Sequence, residues 1–157
     1  MTTKSCKVLN LSRNNFGDKG IEIISEALHF RRSLVESLDF TSVGMKRTGF
    51  LALMLSLKQN AYLKSLKVDS NRLGSSQPFT IIANVFSSGS ILKEFSASNC
   101  ELTDNFGVIF CDTMRTNKNM RKFNLSRNLL SDRTGITFAD SLCDKQCKIE
   151  VANLSHN

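Results

Sequence analysis

The stretch LNLSRNNF, Leu9–Phe16, decides the fold because it recurs along the chain at a regular spacing. It returns almost unchanged as FNLSRNLL at Phe123–Leu130, and the last five residues, Asn153–Asn157, read NLSHN. The first asparagines of the three copies are separated by 114 and 29 residues, which is four units of about 28.5 residues and then one more. A period of this length indicates a chain built from stacked repeats.

Six phrases share apolar residues at the first, fourth and sixth places, and five of them also at the eleventh place. They begin at positions 6, 35, 63, 92, 120 and 149, and places are counted from these positions. Amphipathic segments separate the phrases; in Asp18–Phe30, for example, Ile21, Ile24 and Leu28 form one helical apolar face. Strands and helices of this kind can bury their apolar faces only against each other and against neighbouring units. The pattern predicts an α/β solenoid, a horseshoe segment with parallel strands on its concave face and helices on its convex face.

The phrase L-x-x-L-x-L-x-x-N-x-L resembles the leucine-rich repeat, and the alternating lengths of 28 and 29 residues are similar to those of its ribonuclease-inhibitor-like subclass. We interpret residues 1–157 as a single leucine-rich-repeat domain with five full repeats and the strand of a sixth. We expect it to be a fragment of a longer array, because repeat arrays need terminal caps. The ninth place alternates between Asn and other residues until the last unit; it holds Asn14, Val43, Asn71, Cys100, Asn128 and Asn157.

The ninth-place asparagines are predicted to be buried and structural, because an amide side chain can satisfy backbone groups where each strand turns. Cys100 is expected to be a small buried residue with a weak S–H donor. Asp18, Asp104 and Asp132 lie where they could cap their own helices. The third unit has Gln77–Pro78 where the other complete units have glycine, so we expect it to enter its helix differently.

The sequence contains no recognisable catalytic, cofactor-binding or metal-binding motif. His29 and His156 fall in different units, and Cys143 and Cys147 lack the second ligand pair that a zinc site requires. We therefore expect no enzymatic activity, no cofactor, no metal and five reduced cysteines. Neither a membrane-spanning run nor a secretion signal is visible, and a cytoplasmic location is expected.

Side chains at the fifth, seventh and eighth places should point away from the core. They are mostly small and polar and include no aromatic anchor, so the partner would bring the anchors, or the convex face or further repeats would bind. A wide concave surface of this kind suits protein binding. The predicted protein-binding residues are Asn10, Arg13, Asp39, Lys67, Asp69, Asn99, Asn124, Arg127 and Asn153.

Charge provides a second candidate surface. The net charge is +7, and five cations crowd RTNKNMRKFNLSR. Such a patch could meet an acidic protein, the phosphates of a nucleic acid or a membrane surface, or simply solvent. One Tyr and no Trp disfavour nucleic acid, because stacking platforms are scarce. The predicted basic patch comprises Arg115, Lys118, Arg121, Lys122 and Arg127.

The predicted function is that of a non-enzymatic protein-interaction scaffold in a cytosolic leucine-rich-repeat protein. Its degenerate, basic units are similar to those of the actin capping-protein linkers (CARMIL), which implies a cytoskeletal regulator. Sensors of the NLR type and inhibitors of the ribonuclease-inhibitor type share the subclass and are the alternatives. Ribonuclease inhibitors are acidic and bind a basic enzyme, whereas this chain is basic. We also expect end-to-end self-association of the fragment.

Overall fold

Strands and helices alternate strictly along the chain. The computed structural model describes residues 6–29, 33–58, 60–74, 79–87 and 89–157. The strands are β1 (Val8–Asn10), β2 (Ser37–Asp39), β3 (Ser65–Lys67), β4 (Glu94–Ser96), β5 (Lys122–Asn124) and β6 (Val151–Asn153). The helices are α1 (Gly17–His29), α2 (Arg47–Leu57), α3 (Phe79–Val85), α4 (Asp104–Thr113) and α5 (Asp132–Leu142).

The strands form one parallel sheet in sequence order. Each strand pairs with the next in constant register, so every place of the repeat lies beside the same place of the neighbouring unit. Since strands repeat about every 4.8 Å whereas helices are about 10 Å wide, the sheet lines the inner side. The expected α/β solenoid is confirmed. The fourth-place residues, for example, are direct partners along the sheet: Leu9, Leu38, Leu66, Phe95, Phe123 and Ala152.

The core is shared between units. The ring of Phe86, which follows α3, lies 4.9 Å from the ring of Phe95 on β4 and 4.9 Å from that of Phe110 on α4. Phe110 in turn contacts Phe123 on β5 at 5.1 Å between ring centroids. All four rings are buried. Because Phe86 packs on the fourth unit and Phe110 packs on the fifth, no unit here encloses a core by itself.

The buried side chain of Asn71 joins two units at the point where their strands turn. Its Oδ1 accepts hydrogen bonds from the N–H groups of Val43 and Met45, at 3.1 and 3.0 Å, in the preceding unit. Its Nδ2 donates to the carbonyl of Phe40 in that unit and to that of Val68 in its own, both at 2.8 Å. One amide therefore satisfies backbone groups that no strand ladder reaches.

The prediction of buried structural asparagines is confirmed for Asn71 and Asn128; Asn157 has the predicted structural bonds without the burial, and Asn14 has neither. Asn128 repeats the pattern of Asn71, since its Oδ1 accepts from the N–H groups of Cys100 and Leu102 at 2.9 and 3.1 Å. Asn157 is exposed, yet its Oδ1 accepts from the N–H groups of Asn128 and Leu130 at 3.0 and 3.3 Å in the preceding unit. Asn14 is exposed and its side chain donates only to carbonyls of its own unit. Burial of this side chain requires packed units on both sides, and Asn14 lies in the first unit whereas Asn157 lies in the last.

Units without a ninth-place asparagine use their backbone instead. The carbonyl of Val43 accepts from the N–H group of Gly17 at 3.0 Å, and that of Cys100 accepts from Leu73 at 3.1 Å. Cys100 is fully buried and its Sγ donates to the carbonyl of Val68 at 3.2 Å, as predicted. Burial raises the pKa of Cys100 to about 12, so the group stays a neutral thiol.

The prediction that Asp18 and Asp104 cap their own helices is wrong. Asp18 accepts from the N–H group of Lys46 at 2.6 Å, and Asp104 accepts from the N–H group of Ser131 at 2.9 Å. Both donors belong to the following unit, at the residue that precedes its helix. The contact between Asp18 and the second unit requires glycine at position 49, since a Cβ at Gly49 would lie 2.7 Å from Asp18 Oδ1. These carboxylates join units rather than stabilise their own helix ends.

The helix of the third unit, α3, is seven residues long, whereas the other helices have 10 to 13 residues. Gln77 and Pro78, which suggested an unusual entry, lie outside the described residues. Ile82, Val85 and Phe86 are buried, so the short helix still supplies its apolar face.

Replacing Asn71 with alanine should lower the free energy of unfolding by about 1–3 kcal/mol, because several buried backbone groups lose their partner. Asn14→Ala is the matched control; the side chain is exposed and bonds only to carbonyls of its own unit, so the loss should stay within about 0.5 kcal/mol. Urea denaturation of both variants checks this. Equal stability of the two variants would contradict the structural role of Asn71.

Candidate protein-binding face

The face of the sheet opposite the helices presents rows of polar side chains. Lys67 of the third unit is exposed at the fifth place, and Asp39 and Asn124 are half-buried there. Ser126, expected to point outward at the seventh place, is buried, at 5% exposure. These polar side chains of the face therefore lie at different depths.

Four fifth-place side chains hold the strand ends. The Oδ1 atoms of Asn10, Asp39 and Asn124 each accept a hydrogen bond from the N–H group two residues later, at 2.9, 2.8 and 3.0 Å, and Asn153 does the same at 3.0 Å. These predicted binding residues therefore have a structural role as well. Because these hydrogen bonds hold the side chains in one conformation, little conformational entropy is lost when a partner binds to them.

The fifth places of the third and fourth units hold Lys67 and Ser96 instead, and in the fourth unit Asp69 of the preceding unit takes the accepting role. Asp69 Oδ1 accepts from the N–H group of Ser98 at 2.7 Å and from the hydroxyl of Ser96 at 2.6 Å. Lys67 is thereby left free to extend from the sheet. This difference makes the centre of the face chemically distinct from its ends.

The eighth place has a backbone conformation that the sequence did not reveal. In all six units its φ lies between 54° and 59°, the left-handed region that non-glycine residues seldom adopt. The residue types share no common signal; asparagine and histidine tolerate this region, but arginine and serine are not typical of it. All six side chains are exposed along one edge of the face; they are Arg13, Ser42, Ser70, Asn99, Arg127 and His156.

A row of charges at the second place was also missed. Glu36 lies 3.0 Å from Lys7 and 2.6 Å from Lys64, and Arg121 lies 3.6 Å from Glu150. Hydrogen bonds from Lys64 and then Lys7 lower the pKa of Glu36 to about 2. The signal for this row is in the sequence, because the second place of every unit holds a charged residue.

The structure separates the cations of the predicted basic patch. Arg115 follows α4 in the helix layer, where its Nε lies 3.0 Å from Asp112 Oδ1 without hydrogen-bond geometry. Lys122 lies on the sheet, 3.4 Å from Glu94, whereas Arg127 lies beyond the end of β5. Within the described ranges, Lys118 and Arg127 are the members without an ion pair. Neighbours in sequence are thus distributed over three parts of the surface.

A depression of about 380 Å³ crosses the sheet from β3 to β6. Its charged lining consists of Lys67, Asp69, Glu94 and Lys122. The depression extends from the middle of the face, where the fifth-place pattern changes, to the edge strand β6. It is the feature of this face that an extended polar segment could enter.

Nothing in the described part of the chain resembles a reaction centre. No group of three or more His, Cys, Asp or Glu side chains there could hold a metal ion. All five cysteines are free; Cys6 and Cys143 are exposed, Cys147 is half-buried, and Cys100 and Cys111 are buried. Of the helices described, none has the length and apolar content needed to cross a membrane.

Comparison with known proteins agrees with the repeat geometry. The leucine-rich repeat family profile matches residues 5–27. The chain is 26% identical to the ribonuclease inhibitor of Sus scrofa over 147 residues, which cover 94% of this chain and 32% of that protein. It is 27% identical over 150 residues to NACHT, LRR and PYD domains-containing protein 4C of Mus musculus, covering 96% of this chain and 15% of that protein. The chain thus spans about a third or less of the relatives that it matches.

Alkylation of the native protein with iodoacetamide should label Cys6 and Cys143 and spare Cys100 and Cys111. The buried pair is inaccessible, and burial raises both pKa values to about 12, so almost no thiolate is present. Peptide mass spectrometry locates the label, and a urea-unfolded sample, in which every thiol should react, is the control. Labelling of Cys100 as fast as Cys143 in the native protein would contradict the described packing.

Proposed function

The chain is a leucine-rich-repeat protein similar to ribonuclease inhibitor, and from this premise we propose that it is a protein-interaction module whose sheet face binds the partner. The observation that carries the proposal is the constant register of the six strands. This register aligns outward side chains in rows with a spacing of about 4.8 Å, which creates one continuous surface. A rigid surface of this kind binds without a large ordering cost.

The non-enzymatic role belongs to the same proposal. The outward carboxylates Asp39 and Asp69 are occupied by backbone N–H groups, and the paired acid Glu36 is held ionised by lysines. Because its pKa is lowered to about 2, Glu36 is poorly suited to proton transfer near neutral pH. The proposed location is cytoplasmic, as free cysteines are usual in reducing compartments.

Two finer proposals follow from the resemblance. The first is that the chain is CARMIL-like and regulates the cytoskeleton. The second is that it acts as an inhibitor of a ribonuclease or as an NLR-type sensor, like the relatives that it matches. The net charge of +7 favours an acidic partner over a basic one. A direct assay separates the two: inhibition of a basic ribonuclease by the chain at equimolar concentration would favour the inhibitor and would count against an acidic partner.

Photo-cross-linking tests which face binds. A photoreactive phenylalanine analogue at Ser70, exposed at the edge of the sheet face, should capture a defined partner from cell extract. The same analogue at Glu26, exposed on α1, is the matched control and should capture none of that partner. Capture of the same protein equally well from Glu26, or no capture from Ser70, would contradict binding at the sheet face.

A second proposal concerns the end of the solenoid at β6, which we propose associates with another copy of the chain. All three residues of β6 are exposed, and this strand lies at the edge of the sheet. Leu129, Ile136 and Leu142 nearby are 64%, 63% and 53% exposed. An unpaired parallel strand beside exposed apolar side chains is a typical site of association.

Sedimentation velocity over a range of concentrations should therefore show reversible association. Ile136→Glu should shift the protein toward the monomer, because a charge would have to be buried. Leu55→Glu, at a 49% exposed position on α2 away from this end, is the control and should leave association unchanged. A monomer at every concentration, or equal effects of both substitutions, would contradict association through the end face.

A further inference from the structure

We propose that the sheet face binds an acidic, extended protein segment across β3, β4 and β5 at a basic row. The basic row is formed by Lys64, Lys93 and Arg121 at the second place, with Lys67 and Lys122 beside them on the sheet. The inference rests on the proposed protein-binding function and specifies the chemistry of the partner.

The three second-place cations are neighbours through the backbone. The N–H group of Lys93 donates to the carbonyl of Lys64 at 2.7 Å, and the N–H group of Arg121 donates to that of Lys93 at 2.8 Å. Adjacent strands lie about 4.8 Å apart, so three cations occur along roughly 10 Å of the surface. Like charges this close repel one another, and a negative partner relieves that repulsion.

The carboxylates of the chain neutralise the two ends of this row and not its centre. Lys64 is paired with Glu36 at 2.6 Å, and Arg121 with Glu150 at 3.6 Å. Lys93 and Lys67 are exposed and have no ion-pair partner among the residues that the structure describes. An incoming carboxylate can therefore bind at the centre without breaking an existing pair.

The adjoining depression explains why the segment should be extended. It crosses the strands and has a volume of about 380 Å³. Its charged lining consists of Lys67, Lys122, Asp69 and Glu94. Lys67 can hold a carboxylate of a bound segment, while Glu94, which stays paired with Lys122 at 3.4 Å, can accept hydrogen bonds from the segment's backbone N–H groups. A mixed lining of this kind matches a peptide, whose charges are intermittent.

The same features argue against nucleic acid. The phosphates of a nucleic-acid strand are contiguous, and Asp69 and Glu94 would repel them. Single-strand binding also relies on aromatic platforms. The Phe95 and Phe123 side chains of this region are buried, and Tyr62, the single tyrosine of the chain, precedes β3 rather than lying on the sheet.

Fluorescence anisotropy with a labelled peptide in which glutamates alternate with serines tests the inference. The unsubstituted chain should bind it, with an affinity that falls as salt is raised. The double variant Lys67→Gln with Lys93→Gln should weaken binding about tenfold. The matched control, Lys46→Gln with Arg47→Gln, removes two exposed charges at the start of α2 and should change the affinity less than about twofold.

Each other outcome overturns the inference in a recognisable way. Equal losses in both double variants would show attraction to net charge rather than to the basic row. Tighter binding of oligothymidylate, dependent on Lys67 and Lys93, would assign the row to nucleic acid, and absence of binding by the glutamate–serine peptide would remove the inference. If cross-linking from Ser70 captures a partner that the Lys67 and Lys93 substitutions leave unaffected, the protein-binding function stands and this inference fails.

Discussion

The hydrogen bonds of a buried amide between consecutive units are the constraint on which the rest of the structure depends. At the turn after each strand, backbone N–H groups cannot reach a ladder partner, and leaving them buried and unpaired is costly. Asn71 and Asn128 supply the missing partners for the preceding unit. The carbonyls of Val43 and Cys100 do so in the alternate units. Asn157 serves the fifth unit, so the alternation of side-chain and backbone partners extends through the first four units only. Each of the first five units thus depends on the next one, and the strands keep constant register.

Constant register is also what gives the chain a surface. A shift by one residue would exchange buried Leu66 for exposed Lys67, so the buried face of each strand fixes which side chains reach solvent. Local bonds then set the character of the exposed positions. Asx side chains fix most fifth places, whereas the third unit has Lys67 there and the fourth has Ser96, with Asp69 accepting from the N–H group of Ser98. This exchange places the exposed Lys67 at the centre of the face.

The sequence predicted the period, the apolar places and the solenoid because each of these depends on the type of single residues. It misassigned Asp18 and Asp104, since the partner of each carboxylate is a backbone group about one unit later and not in its own helix. The left-handed backbone at places such as Arg127 has no residue-type signal. The basic patch was predicted from neighbours in sequence, whereas stacking brings together residues about 28 apart, such as Lys64 and Lys93.

Native-state hydrogen exchange measured by NMR tests the central claim most directly. The amides of Met45 and Leu102 are bonded to the side-chain oxygens of Asn71 and Asn128. If those bonds join the units, both amides should exchange as slowly as the amide of Phe40, which is bonded to a carbonyl of the next strand. Exchange as fast as that of Ser12, whose partner Asn10 is exposed, would show that the asparagine side chains do not hold the repeats together.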